Sequence, residues 1–467
     1  MDRIGKPYQK KVMSKKSANI DPDRLIKRGI WAYFLLLIFE GALRKWVLPG
    51  LATPILLIRD PLALWIIALV WQKGIFPKSL YLTATLIIGV IGLFAAMFFG
   101  HGNLAVAVYG ARILLIQFPL IFAIGRIMDR NDVVEIGKVL LYISIPMALL
   151  IGLQFYSPQS AFVNRGVGGD IEGGGFSGAL GFFRPPGTFS FTNGCTLFFG
   201  FVTCFVMYFW LNSKEINKTL LIMASMASVI AIPLSISRTL LVSDGIAVFF
   251  ALLATVRKSE HAGKMIMFTV ITFIGLIVLS QFKFFQTATE TITARFETAS
   301  ESEGTLTNSI VERSMSGLIG GLRNSDEEPF LGYGIGMGTS VGSKLLTGKV
   351  SYLISEGEWG RLVGELGVVL GLALIVIRVL ISFKLLFNAF KRLGQGDLLP
   401  WMLISFGFLL IPQGQWSQPT SLGFTVIVGG LLFASMRNDR LLARNKDLAP
   451  KGQLRDNKIG TVQMKLS

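Results

Sequence analysis

Long apolar runs, separated by short polar connections, fill most of the 467 residues. A helix needs about 20 mostly apolar residues to cross a hydrocarbon core about 30 Å thick. About twelve runs approach that length, and they predict an all-α, polytopic membrane helix bundle. The predicted spans are Ile30–Val47, Thr53–Val70, Leu80–Phe99, Leu104–Ile127, Val134–Phe155, Gly194–Leu211, Thr219–Leu234, Thr239–Val256, Met265–Phe284, Leu362–Ser382, Leu399–Ile411 and Ser421–Met436.

The polar segments divide the chain into five parts. Two basic tails, 1–28 and 438–467, are predicted to be cytoplasmic. Nine spans occupy 29–284, which includes a glycine-rich outer loop at 157–193. A large outer loop with short helices is predicted at 285–361, and three further spans at 362–437. Loops longer than about 15 residues are usually functional or disordered, so we expect any chemistry in the two outer loops.

Composition agrees with a membrane protein, because 52% of the residues are hydrophobic and only 16% are charged. Soluble chains carry about 25% charged residues. The net charge is +17, from 45 Lys and Arg against 28 Asp and Glu. With the N-terminus inside, about two thirds of the basic residues, Arg378 among them, fall on the inner side, which predicts that both termini are cytoplasmic. No soluble basic segment is present, so nucleic acid is not an expected partner.

Histidine and cysteine give no sign of a metal or redox centre. His101 and His261 lie in connections on opposite sides of the predicted membrane, so they cannot share a metal ion. Cys195 and Cys204 both lie within one apolar run, where a disulfide framework has no use. We therefore expect neither a metal nor a cofactor.

The glycine-rich outer loop ends in the segment RPPGTFSFTNG, which begins at Arg184. The two prolines restrict the backbone and so hold this arginine in one place at the membrane surface. A guanidinium binds phosphate with two parallel hydrogen bonds and keeps its charge, which favours a phosphate-binding role. The alternative is a structural ion pair with a carboxylate such as Glu172.

A second arginine, Arg238, lies in the short connection SISRT. This connection is so short that the two flanking apolar runs either form two helices or one broken helix. An arginine there faces a partner or water, because its burial is costly. It either takes part in a site, pairs with Asp244, or reaches outward to lipid headgroups.

The large outer loop contains Arg313 in a predicted helix, then the run PFLGYGIGMG, then Glu356 and Glu358. The glycines predict tight turns that let the loop pack closely on the membrane domain, since a nucleotide loop would need a preceding strand. Where no histidine is available, a carboxylate such as Glu356, Glu358 or Glu365 is the usual general base. Salt bridges to Arg361 or Arg313 are the structural alternative.

Charged residues also occur within the first two spans. Glu40 and Arg44 are four residues apart on one helix face, and Arg59 and Asp60 follow in the second span. This spacing predicts a buried, self-neutralised packing network between the two helices.

Taken in order around a multi-helix membrane core, RPPGTFSFTNG, SISRT, PFLGYGIGMG and the exit GELGVVLG resemble the O-antigen ligase and polymerase family of bacterial polysaccharide enzymes. The resemblance covers roughly residues 184 to 372. It implies a multi-pass glycosyltransferase of the cytoplasmic (inner) membrane that acts on the outer, periplasmic face. Such enzymes pass a glycan from an undecaprenyl diphosphate carrier to an acceptor hydroxyl, with no metal and no nucleotide.

For this chain the resemblance implies specific roles. Arg184 and Arg238 hold the diphosphate and stabilise its developing charge, Arg313 helps to close the site, and Glu356 or Glu358 deprotonates the acceptor hydroxyl. The residues expected to bind substrate are Thr188, Asn193, Ser237, Tyr333 and Arg361. The expected surroundings are a bilayer with anionic lipids, and other polysaccharide-assembly proteins are candidate partners.

One departure from the family pattern affects the expected activity. Ligases of the family carry His followed by Asn where this chain has Ser355-Glu356-Gly357-Glu358, and its outer loop contains no histidine. This favours a polymerase over a ligase, and a chain that has lost activity is also compatible with it.

A transporter or exporter subunit would share the span count but needs a polar site near the midplane, where ionisable residues are sparse. A non-catalytic envelope scaffold is the third hypothesis.

Overall fold

A computed structural model describes residues 22–257, 260–303, 319 and 329–437. Regular structure in these ranges is almost entirely helical. The α-helices are α1 Pro22–Ala42, α2 Ala52–Leu56, α3 Arg59–Gln72, α4 Leu80–Phe98, α5 Leu104–Arg112, α6 Phe118–Ile127, α7 Arg130–Tyr156, α8 Thr192–Leu211, α9 Lys218–Ser235, α10 Arg238–Arg257, α11 Glu260–Ser280, α12 Lys283–Glu303, α13 Ser340–Thr347, α14 Glu358–Gly394, α15 Leu399–Gln413 and α16 Pro419–Ser435. The two strands are β1 Phe176–Ser177 and β2 Phe183–Arg184. Two π-helical turns, Leu43–Val47 and Ile113–Gln117, extend α1 and join α5 to α6.

Helix occurs at each of the twelve predicted spans. Within the described ranges, nine helical segments are long and apolar enough to cross a membrane, by length and composition. They are Pro49–Gln72, Leu80–Phe98, Leu104–Ile127, Arg130–Tyr156, Thr192–Leu211, Lys218–Ser235, Arg238–Val256, Ala262–Ser280 and Glu358–Gly394. Helices α15 and α16 are shorter, with 15 and 17 residues. The architecture is thus that of a helical membrane protein, whereas twelve spans and their orientation stay predictions.

Helix α8 is the central column of the bundle. Nearly its whole apolar length, 94%, is buried, and it packs against α7, α9, α10 and α15. Phe201 at its centre stacks on Phe406, with ring centroids 5.5 Å apart, and meets Phe424 edge-on. Helix α11 is equally apolar but only 6% buried, and Phe273 and Ile277 are exposed. Such an apolar, outward-facing helix fits lipid rather than water.

The bundle has two chemically different ends. At the tail end, where α1 begins and α16 ends, Lys27 pairs with Asp129 at 2.7 Å, and Arg392 donates to the carbonyl of Met436. At the opposite end, the loop end, Gly178 of the glycine-rich loop lies against Ile236 of the α9–α10 turn, and Asn193 meets the α15–α16 connection. On the predicted topology the tail end faces the cytoplasm and the loop end faces the periplasm.

The large outer loop begins differently from its prediction. Residues 283–303 form the single 21-residue helix α12, whereas only short helices were expected in the loop from residue 285 onward. Its apolar side chains Phe285, Ala288 and Ile292 recur at helical spacing and are buried against the bundle, where α12 packs on α9. The polar residues between them hide this periodicity in a hydropathy profile.

Candidate functional site

The Arg184 segment is held in a short hairpin at the loop end. Strands β1 and β2 are antiparallel, with Phe176 opposite Arg184, and the N–H of Gly178 donates to the carbonyl of Phe182 at 3.0 Å. Beyond the hairpin, the chain turns inward through two buried prolines. Their fixed φ angles limit the positions that the arginine side chain can reach.

Residues at the end of α1 bind the segment that follows the hairpin. The buried amine of Lys45 donates to the carbonyl of Gly187 at 2.6 Å, and Arg44 donates to Ser190 Oγ at 2.9 Å. Thr188, expected to bind substrate, is buried, and its hydroxyl donates to a backbone carbonyl of α1 at 2.6 Å. Its side chain therefore anchors the loop.

The polar network predicted within the first spans is confirmed. Glu40 accepts from Arg59 at 2.8 Å and lies 3.5 Å from Arg44. Asp60 lies apart from that pair and binds Arg112 at 2.9 Å. Because each buried charge has an opposite partner, the network rigidifies the end of α1 that carries the Arg184 loop.

The α9–α10 turn shows that the SISRT connection joins two separate helices. Ile236 has φ +48°, a left-handed conformation that a β-branched residue rarely adopts. Ser237 caps α10, because its Oγ accepts from the N–H of Leu240 at 3.3 Å. The same oxygen accepts from the hydroxyl of Thr196 at 3.0 Å. Ser237 is thus structural, and Arg238 is fixed as the first residue of α10.

The hairpin packs directly on this strained turn. A Cβ added to Gly178 would lie 2.6 Å from Cδ1 of Ile236 and 3.6 Å from Cγ of Arg184. Ile236 is buried under the hairpin. The packing of the hairpin therefore holds Ile236 in its left-handed conformation. This conformation places the start of α10 beside Arg184.

Helix α12 contributes Arg295, a residue that the sequence interpretation missed. It follows Phe285, Ala288 and Ile292 at three- and four-residue spacing, so it lies on the face that packs on the bundle. The signal available in the sequence was this regular spacing. The predicted Arg313 lies outside the described residues.

Arg184, Arg238 and Arg295 form what we call the arginine cluster. Burial lowers the pKa of Arg184, and the positive charges of Arg295 and Arg238 lower it further. Its Nε is buried without a hydrogen-bond partner. Within the described ranges no carboxylate forms a salt bridge with Arg184 or Arg295, and Glu172, the expected alternative partner, is exposed. Arg184 is thus partly buried and feels the positive charges of Arg238 and Arg295, and such a concentration of like charge favours the binding of an anion.

Glu358, expected to be a base, is instead enclosed by donors. Its carboxylate accepts from Arg361 at 2.8 and 3.1 Å, from Arg378 at 2.6 Å, and from the N–H of Trp416 at 3.1 Å. The residue is 5% exposed. A carboxylate held by two guanidinium groups has its charged form stabilised and is a poor proton acceptor. This geometry favours a structural role.

Two arginines owe their positions to that network. Arg361, expected to bind substrate, is buried and also pairs with Glu365 at 2.5 Å. Arg378, predicted to lie on the inner side, is wholly buried within the bundle and donates to the carbonyls of Ile411 and Gly414. Hydropathy alone does not reveal its partner Glu358, which lies twenty residues earlier on the same helix.

Three other expected site residues are more accessible. Glu356 is exposed beside the α15–α16 connection, where its backbone carbonyl accepts from Gln415. Asn193 is half-buried and donates to Gln418 of the same connection at 3.4 Å. Tyr333 is 38% exposed. The α15–α16 connection therefore links the start of α8 with the loop that carries Glu356.

The run GYGIGMG behaves as its glycines predict. Gly334 and Gly336 have φ of +108° and +96°, and a Cβ on Gly336 would lie 2.2 Å from the carbonyl of Val106. A similar approach occurs at the kink in α14, where Gly367 has φ +76°. The prediction that the outer loop packs closely on the membrane domain is confirmed.

Asp244, considered as a partner for Arg238, lies elsewhere. It is buried between α8 and α10, and its Oδ1 has no hydrogen-bond partner within the described ranges. In the same part of the chain, no group of three or more His, Cys, Asp or Glu side chains is placed to hold a metal ion.

Comparison with known proteins adds no relative. No protein-family model matches the chain, and no curated protein matches it. The arginine cluster and the sequence resemblance are therefore the two features that point to a function.

Proposed function

We propose that the protein is a membrane glycosyltransferase of the O-antigen ligase and polymerase type that acts as a polysaccharide polymerase. In this proposal it transfers a glycan from undecaprenyl diphosphate to an acceptor hydroxyl at the periplasmic face of the bacterial inner membrane. The observation that carries the proposal is the arginine cluster: the hairpin that bears Arg184 packs on the turn before Arg238, and the positive charges of Arg238 and Arg295 act on Arg184.

A diphosphate is the anion that best suits such a cluster. It carries several negative charges, and its charge increases when the glycosyl bond breaks. Guanidinium groups fixed before the reaction stabilise that charge without reorganising. The π-extended end of α1, the hairpin and the strained α9–α10 turn supply this fixation on the protein side.

The chemical step is a displacement at the anomeric carbon of the donor sugar. The acceptor hydroxyl oxygen forms the new bond to that carbon, the bond from carbon to the diphosphate oxygen breaks, and the electron pair leaves with the diphosphate. Among the expected bases, we assign the hydroxyl proton to Glu356, because its side chain is exposed, whereas Glu358 is enclosed by Arg361 and Arg378.

Replacement of the chromosomal gene by Arg184→Ala or Arg238→Ala tests the proposal. We expect single, unpolymerised repeat units on the lipid carrier, at a protein level in the membrane equal to that of the wild type. Arg165→Ala is the matched control, since Arg165 lies in the same outer loop with its guanidinium over the ring of Phe162. Glycans of unchanged length in both cluster variants would contradict the proposal.

A further inference from the structure

A second candidate site lies at the tail end, opposite the arginine cluster. A cavity of about 640 Å³ opens there between the start of α4, the end of α6, the second half of α14 and the end of α16. Its position at the tail end follows from its lining residues Met436 and Arg437, whose neighbours are Arg392 and Arg126. This cavity has no part in the proposed transfer reaction.

Four cationic side chains line the cavity, namely Lys78, Arg126, Lys384 and Arg437, and the described lining residues include no Asp or Glu. Lys78, Arg126 and Lys384 are exposed, and in the described part of the chain none of these three forms a salt bridge. Lys384 lies over the ring of Tyr81, 5.4 Å from its centroid. The cavity is therefore positively charged and open to solvent at its rim.

Other cations at the same end are neutralised by the protein itself. Lys73 pairs with Asp23, and Arg130 pairs with Asp397, each at 2.5 Å. These two pairs show how a cation at this end is neutralised when a carboxylate lies beside it. Lys78, Arg126 and Lys384 in the cavity lack such a salt bridge within the described residues.

The wall of the cavity is apolar. Phe122, Ile381, Leu385 and Phe433 form its inner surface, and Leu80, at its side, is 81% exposed. An apolar wall does not contribute to the binding of a small soluble anion. A molecule with a charged head and hydrocarbon chains matches both parts of the lining at the depth where a bilayer has its headgroups.

We propose that this cavity is a binding site for an anionic phospholipid. The phosphate group contacts Lys78, Arg126 and Lys384, and the acyl chains lie along the apolar wall. On the predicted topology the lipid comes from the inner leaflet. Cardiolipin, with two phosphates and four chains, matches both the cations and the apolar wall and is the probe of choice.

The test measures lipid binding to the full-length protein by native mass spectrometry after purification in detergent. Cardiolipin is titrated against the wild type, the double variant Lys78→Gln/Lys384→Gln, and a control. Each cation near the headgroup is worth about fivefold in affinity, so we expect about 30-fold weaker binding in the double variant. The control Lys214→Gln/Lys218→Gln removes two exposed lysines of the tail end that lie outside the cavity, and its affinity should stay unchanged.

Two further arms identify the ligand class. Phosphatidylcholine should bind much more weakly than cardiolipin, and inorganic phosphate at millimolar concentration should not displace cardiolipin. Equal cardiolipin affinity in the double variant and the wild type would overturn the proposal. So would displacement by inorganic phosphate, because the site would then recognise a small anion, or equal binding of phosphatidylcholine.

Discussion

The substitution Glu358→Ala separates a structural carboxylate from a catalytic one. In the native protein this carboxylate is the partner of Arg378, which is wholly buried, and one of the two carboxylates that bind Arg361. Its removal leaves Arg378 buried with only backbone carbonyls as acceptors. The variant should therefore be strongly destabilised, whatever its activity.

The size of the effect follows from the burial. Removal of one partner from a buried ion pair costs about 3–5 kcal/mol, against a total folding stability of about 5–15 kcal/mol. An unfolding entropy of about 2.1 cal/mol/K per residue amounts to about 1 kcal/mol/K for a chain of 467 residues. The melting temperature should then fall by about 3–5 °C.

Thermal unfolding of the purified protein in nanodiscs, followed by tryptophan fluorescence, measures this shift. Glu358→Gln keeps one acceptor oxygen, so its melting temperature should lie between those of the Ala variant and the wild type. The matched control is Glu356→Ala, whose exposed side chain should change the melting temperature by less than about 1 °C. A Glu358→Ala protein as stable as the wild type would refute the structural role.

Three further predictions test neighbouring features. Gly336→Ala should destabilise the protein by at least about 2 kcal/mol, since φ is +96° and the new Cβ meets a carbonyl, whereas Gly245→Ala, in open space within α10, should be neutral or stabilising in the same thermal assay. Arg295→Ala should shorten the glycan as the other cluster variants do, while Lys283→Ala, an exposed cation of the same helix, should leave its length unchanged on gel analysis. Thr188→Val should cost about 1 kcal/mol through the lost hydrogen bond to α1 and should speed protease cleavage of the outer loop; an unchanged cleavage rate would contradict its anchoring role.

The helices were predictable because long apolar runs leave few alternatives. The composition of a run such as Thr192–Leu211 is enough to predict a membrane span. The structure adds that this helix lies at the centre of the bundle. Helix α12 was not recognised, because its buried positions Phe285, Ala288 and Ile292 alternate with polar residues. Consequently Arg295, the third member of the arginine cluster, was missed.

The candidate site was predictable only in part. Arg184 and Arg238 stand out because each lies between apolar runs, where a charged residue is costly and is usually paired or functional. The structural role of Glu358 depends on its contact with Arg378. The kink of α14 at Gly367 brings these two residues together, although they are twenty residues apart. Local spacing shows which side chains share a helix face, but such contacts arise only when the chain is folded.

The affinity for undecaprenyl diphosphate tests the central claim most directly. Binding to the protein in nanodiscs is compared for the wild type, Arg184→Ala and the control Arg165→Ala. Hydrogen bonds to charged groups contribute about 1.5–3 kcal/mol, so Arg184→Ala should bind about 10- to 150-fold more weakly, and Arg165→Ala should match the wild type. Equal affinity in all three proteins would contradict a diphosphate site in the arginine cluster.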